Sequence, residues 1–179
     1  MKKSIVILLF LLAHPFFAQK EMVTTAGTIR FEASVPFCEE VTATNKTVSC
    51  ILVTKTGALT IVVPMQEFRF KLSLMEDHFN EKYLESDHYP NAYFKGSIVG
   101  FNLNIIDSTP KEFKLNGELK IHGITKKINT TALLKKINNK LEVHSDFNIN
   151  IKDFNIEMPE ILSVKVAKTV QVVSNFVLQ

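Results

Sequence analysis

Hydrophobic and polar residues alternate along most of this chain. Between Phe113 and Ile121 the odd positions are Phe113, Leu115, Gly117, Leu119 and Ile121, and the even ones are Lys114, Asn116, Glu118 and Lys120. A period of two puts the first set on one face of a β-strand and the second set on the other. The same alternation returns from Leu141 to Ile151, where Leu141, Val143, Phe147, Ile149 and Ile151 oppose Glu142, His144, Asp146, Asn148 and Asn150. Weaker versions cover Thr28 to Val35, Val48 to Val53, Leu59 to Val63, Phe68 to Leu72, Phe94 to Val99, Ile128 to Leu134 and Val166 to Phe176. The pattern predicts about eight strands, each with a dry and a wet face.

Turn residues punctuate these runs: Thr56-Gly57, Asp107-Ser108-Thr109-Pro110 and Asn138-Asn139. Short connections between one-sided strands favour an antiparallel sheet, and eight such strands lose their exposed edges by closing into a barrel. One segment departs from period two. Ser73 followed by Glu76 reads as a capping box, and Met75, Phe79 and Tyr83 recur at steps of four, predicting a helix over about 74–85. Asp87-His88-Tyr89-Pro90 ends it, because the residue before a proline avoids helical backbone. A short helical turn is expected near 159–165, with Pro159 at its start. The fold class is therefore mainly β, an eight-stranded antiparallel barrel with one inserted helix.

The N-terminus has a separate character. Met-Lys-Lys-Ser precedes an apolar run from Ile5 to Ala13, and His14-Pro15-Phe16-Phe17-Ala18 follows. This is the basic, apolar and small-residue succession of a secretory signal over residues 1–18, leaving 19–179 as one domain. The apolar run is about half the roughly 20 residues of a spanning helix, so no transmembrane anchor is expected. Removing Lys2 and Lys3 lowers the formal charge from +3 to 19 basic against 18 acidic groups, or +1. A chain so near neutrality lacks the basic footprint of a nucleic-acid binder.

Export bears on Cys38 and Cys50, which would enter an oxidising compartment. They are read as a disulfide, worth about 3 kcal/mol for a loop of that size. The alternative is two small hydrophobic side chains that never meet. Four histidines follow the signal: His78, His88, His122 and His144. His78 lies near Asp77, Glu81 and Glu85 at spacings that could share a helix face, which suits either a metal site or a solvated charged surface. His122 and His144 share the polar parity of their strands, where water is the expected neighbour; the alternative for His122 is that it orients the turn before Thr125. No Gly-x-Ser-x-Gly, His-Glu-x-x-His or phosphate-binding glycine loop is present, so neither an enzyme nor a cofactor is expected.

An eight-stranded barrel has an interior just wide enough to be packed by its own side chains or to hold one slender ligand. The inward positions here are aliphatic or aromatic, and 11 of the 14 phenylalanines remain once Phe10, Phe16 and Phe17 are set aside. Gly96 and Gly117 fall on the inward parity, either relieving curvature or leaving space for a guest. Any guest would be apolar.

Two blocks carry a family resemblance. His78-Phe79-Asn80-Glu81-Lys82-Tyr83-Leu84-Glu85-Ser86-Asp87-His88-Tyr89-Pro90-Asn91-Ala92-Tyr93-Phe94-Lys95-Gly96, followed by Gly117-Glu118-Leu119-Lys120-Ile121-His122-Gly123-Ile124-Thr125-Lys126, resembles the YceI-like family. Weaker similarity, such as Gly27-Thr28-Ile29-Arg30-Phe31, extends over nearly all of the mature chain. The resemblance implies a lipocalin-like barrel, usually exported, with a hydrophobic cavity that in some members holds a polyisoprenoid or other long-chain lipid. It brings no catalytic residues. The chain departs from longer members at Val23 to Thr28, which has neither the acid nor the histidine of their Asp-x-x-His-Ser block.

The candidate ligand-binding residues are Phe68, Phe70, Leu72, Met75, Phe79, Tyr83 and Phe94, with Phe113, Leu115, Leu119, Ile121, Phe147 and Ile149 further along. The expected function is an exported, periplasmic or secreted binding protein for a polyisoprenoid, an isoprenoid quinone or a fatty-acid-like lipid. The alternative is an envelope interaction module whose barrel is packed and empty of ligand.

Overall fold

A computed structural model describes residues 20–179, with residues 162 and 163 as backbone only. The signal segment over 1–18 lies outside the described residues. Nine strands form one sheet: β1 (Glu21–Ser34), β2 (Thr42–Val53), β3 (Ala58–Pro64), β4 (Arg69–Phe70), β5 (Asn91–Ile98), β6 (Lys111–Ile121), β7 (Ile124–Ile137), β8 (Lys140–Asn150) and β9 (Val166–Leu178). The order is β1-β9-β8-β7-β6-β5-β3-β2, and β2 pairs back onto β1. Every pairing is antiparallel, so eight long strands close into a barrel with no free edge among them. Strand β4 is a two-residue addition to Ala43 and Thr44 of β2. The strand expected over 68–72 shrinks to this pair because Phe68 ends a 3-10 turn (Met65–Glu67) and is buried.

The inserted helix also differs from its expectation. Helix α1 (Ser73–His78) continues as a π-helical turn (Phe79–Tyr83), closed by the Leu84 N–H donating to the Phe79 carbonyl at 2.9 Å. The capping box does not form. Glu76 instead accepts from Arg69 Nη1 at 3.3 Å and from the Phe70 N–H at 3.2 Å, satisfying a strand donor and a guanidinium with one carboxylate. The second helical segment, α2 (Glu160–Ser163), falls within the predicted turn.

The barrel has two unlike ends. One carries the turns β2–β3 and β7–β8 and the link β5–β6; here Val48, Cys50, Leu52, Leu134, Leu141, Phe176 and Leu178 pack as a solid plug, each essentially inaccessible to solvent. Asn45, also buried, is satisfied at the bulge of β2: its Nδ2 donates to the Pro64 carbonyl at 2.7 Å and its Oδ1 accepts from the Thr47 N–H at 2.8 Å. The other end carries the β1–β2 loop, the long excursion between β3 and β5, the two-residue β6–β7 turn and the β8–β9 link.

This division breaks the expected disulfide. Cys38 is an exposed free thiol in the β1–β2 loop, whereas Cys50 is a buried free thiol in the plug. Eight residues of strand separate Thr42 from Cys50, roughly 25 Å at the rise of an extended chain, far beyond disulfide reach. Cys50 packs as the small hydrophobe of the alternative reading, and burial pushes its thiol up to about 12.

Candidate ligand-binding cavity

Above the plug the barrel is hollow. A cavity of about 490 Å³ opens toward the end that carries α1, in the size range of small-molecule pockets. Each long strand except β2 places inward residues on the wall: Ile29 and Phe31 from β1, Ile61 and Val63 from β3, Phe94 from β5, Leu119 from β6, Ile128 from β7, Phe147 from β8 and Val172 from β9. The excursion between β3 and β5 contributes the remaining side wall. Phe70 of β4 lies there, and the step-of-four stripe Met75, Phe79 and Tyr83 faces the same space.

Twelve of the thirteen candidate residues line the cavity: Phe68, Phe70, Leu72, Met75, Phe79, Tyr83, Phe94, Leu115, Leu119, Ile121, Phe147 and Ile149. Phe113 is the exception. It pairs with Ala132 at the plugged end of β6 and packs on the core below the cavity. The sequence reading left out Phe31, which is central to the wall. Its ring stacks on Phe79 with centroids 5.5 Å apart and meets Phe68 at 5.3 Å and Phe70 at 5.7 Å. The cluster fastens α1 and β4 to β1, and each such ring pair adds about 0.5 to 1.5 kcal/mol beyond burial. The signal for Phe31 was its shared parity with Ile29 and Ala33. Ile151, the last inward position of the Leu141 to Ile151 alternation, also borders the cavity, as do Ile156 and Met158 from a stretch without period two.

The inward glycines serve the protein's own side chain. Gly96 pairs with Gly117 across β5 and β6, and the Phe94 ring lies over both. A Cβ on Gly96 would lie 2.5 Å from Phe94 Cζ, and one on Gly117 2.6 Å from the same atom. Removing two side chains lets Phe94 lie flat against the sheet.

Polar atoms are few. Glu39 and His78 border the open end; Thr130, Ser145 and Ser174 lie on the wall toward the plug; among the described residues no Lys or Arg lines the cavity. His78 and its acidic neighbours do not gather, because Glu85 turns away to His122, and no group of three or more His, Cys, Asp or Glu among the described residues could hold a metal.

Of the two readings of His122, the solvated one fails and the turn-orienting one agrees with its position. With Gly123 it makes the β6–β7 turn, at φ values of 49° and 76°. Positive φ at both central residues is the geometry of a type I′ hairpin. Tyr89 packs edge-on to the imidazole at 4.7 Å and lies so close to Gly123 that a Cβ there would meet its ring at 2.8 Å.

Residues 21–178 match the family described as YceI-like domain. Similar solved structures share the fold at low identity. A polyisoprenoid binding domain from Saccharophagus degradans, implicated in plant cell wall breakdown, aligns with a TM-score of 0.76 and 14% identity over 89% of this chain and 97% of that one. BcnA of Burkholderia cenocepacia aligns with a TM-score of 0.69 and 15% identity over 85% and 96%. The YCEI protein of Campylobacter jejuni aligns with a TM-score of 0.53 and 13% identity over 73% and 80%. No curated protein matches the chain. With the match running through all eight barrel strands, and with the helix and the His-Gly turn in place, the chain belongs to the YceI-like domain family.

Proposed function

We propose that this protein is exported and holds a long-chain apolar molecule, a polyisoprenoid, isoprenoid quinone or fatty-acid-like lipid, in its barrel for transport or storage. The observation that carries the reading is the one-ended apolar cavity, with carbon on nearly every wall and no Lys or Arg among its described lining residues. Each buried methylene contributes about 0.8 kcal/mol, so about ten of them offset the ordinary cost of association without a hydrogen bond. The polyisoprenoid binding named for the Saccharophagus degradans domain supports the same class of guest. The signal-like residues 1–18 support export, with the periplasm or the medium as destination. No helix among the described residues is long and apolar enough to cross a membrane.

Solvent extraction of natively purified protein, followed by mass spectrometry, tests the proposal. A lipid in near-stoichiometric amount is the expected result. Repeated recovery of empty protein that takes up no added prenyl lipid would reject it.

A further inference from the structure

The floor of the cavity differs chemically from its walls. Ser145 and Ser174 face each other across β8 and β9, and Thr130 stands beside them on β7. Ser145 and Ser174 are the next inward positions after the buried Val143–Phe176 pair of the plugged half, where a barrel core ordinarily carries branched aliphatic side chains. The Ser145 hydroxyl donates to the Thr131 carbonyl at 2.6 Å, which commits its proton and leaves its oxygen able only to accept. The Ser174 hydroxyl lies 3.5 Å from the Ser145 carbonyl, a long donor contact, and its oxygen keeps the capacity to accept. The floor therefore offers acceptors to a neutral donor. A carboxylate or diphosphate there would find no Lys or Arg among the described residues of the wall, and burying an unpaired charge is prohibitive.

The size of the hollow sets a second limit. At about 30 Å³ per heavy atom, the share of one molecule in liquid water, the cavity holds roughly 16 non-hydrogen atoms. The span from Val166 to Ser174, corrected for strand tilt, corresponds to a depth of about 20 Å. Below the floor the plug leaves no continuation.

Resting on the carrier reading above, we infer that the guest is a long-chain alcohol that enters hydroxyl first: its O–H donates to the Ser145 and Ser174 floor, and its first 15 or so carbons fill the barrel. Carbons beyond that length emerge past Phe79 at the open end and add little affinity.

The test is a titration of wild-type protein with free prenyl alcohols of two, three, four and eight isoprene units, and with straight-chain alcohols beside their matched alkanes and methyl ethers. Affinity should rise about fourfold per methylene and level off near 16 heavy atoms. The alcohol should bind about fivefold tighter than the matched alkane or ether, the worth of one neutral hydrogen bond. The Ser145→Ala/Ser174→Ala pair should erase that preference, so that alcohol, ether and alkane bind that variant alike. Affinity that keeps climbing to eight isoprene units, or equal affinity for alcohol, ether and alkane, would overturn this inference alone. Failure of every apolar probe to bind would instead reject the carrier reading on which it rests.

Discussion

Nε2 of His122 lies 2.8 Å from Oε2 of Glu85, while Nδ1 of the same ring faces the carbonyl of Phe154 at 3.2 Å. One imidazole thereby ties together the β6–β7 turn, the segment that follows the π-helical turn and the 3-10 turn after β8. All three border the open end of the cavity, so His122 holds its rim in register. The ring is only 13% exposed while its carboxylate partner is 48% exposed, which limits the pair to the modest worth of a partly screened interaction.

A double-mutant cycle on this tie should detect coupling. His122→Asn tolerates the positive φ but lacks the reach, and Glu85→Gln removes the charge at constant shape. Each is expected to lower stability by about 1 kcal/mol, with a coupling of roughly 0.5 to 1 kcal/mol in denaturant titrations. Strict additivity would mean that the two side chains do not act together.

The glycine pair should resist substitution. Gly117→Ala would place a Cβ 2.6 Å from the Lys95 carbonyl as well as against Phe94, and Gly96→Ala one at 2.3 Å from the Asn116 carbonyl. Overpacking of this kind costs about 1 to 3 kcal/mol, and backbone is the harder neighbour to displace. Thermal unfolding of Gly117→Ala should therefore show a lower Tm that Phe94→Leu, by shortening the ring side chain, only partly restores. Wild-type stability in Gly117→Ala would refute the close approach.

The two thiols should react very differently. Cys38 should be labelled at once in native protein and Cys50 only after denaturation, with two thiols per chain found without reductant. Because burial holds the folded pKa of Cys50 near 12, against 9.0 ordinarily, the unfolded chain releases its proton first as pH rises. The stabilisation from this group is therefore complete below about pH 9 and is lost between 9 and 12. Cys50→Val should flatten that part of the alkaline stability profile. One thiol or none under denaturing, non-reducing conditions would contradict the assignment.

How much of this was legible in the sequence depends on direction versus depth. Parity separates inside from outside, and it places Leu115, Leu119, Ile121, Phe147 and Ile149 inward, as found. It carries no signal for height along the barrel axis. Phe113 shares its face with Leu115 yet lies beside the plug, and Leu141 and Val143 share theirs with Phe147 yet belong to the solid half. The helix stripe was readable because Met75, Phe79 and Tyr83 sit at one period. The missing capping box and the His122 tie were not: Glu76 is claimed by Arg69 and Phe70 across the local turn into α1, and His122 by Glu85 and Phe154, which only the closed sheet brings near. The cysteines misled for the same reason, because closeness in sequence along an extended strand means distance in space.

The central claim is that the hollow half of the barrel is where an apolar guest binds, and the parity of β6 gives its most direct test. Leu119 faces the cavity, and its neighbour Lys120 is exposed on the outer face. Titration with a fluorescent long-chain probe should give one site per wild-type barrel, abolished in Leu119→Glu by an unpaired charge in an apolar lumen and unchanged in Lys120→Glu. Ala92→Phe, which fills the cavity from another wall without adding charge, should weaken binding at least tenfold while circular dichroism reports an intact sheet. Probe binding that survives both Leu119→Glu and Ala92→Phe would place the guest outside the barrel and contradict the account.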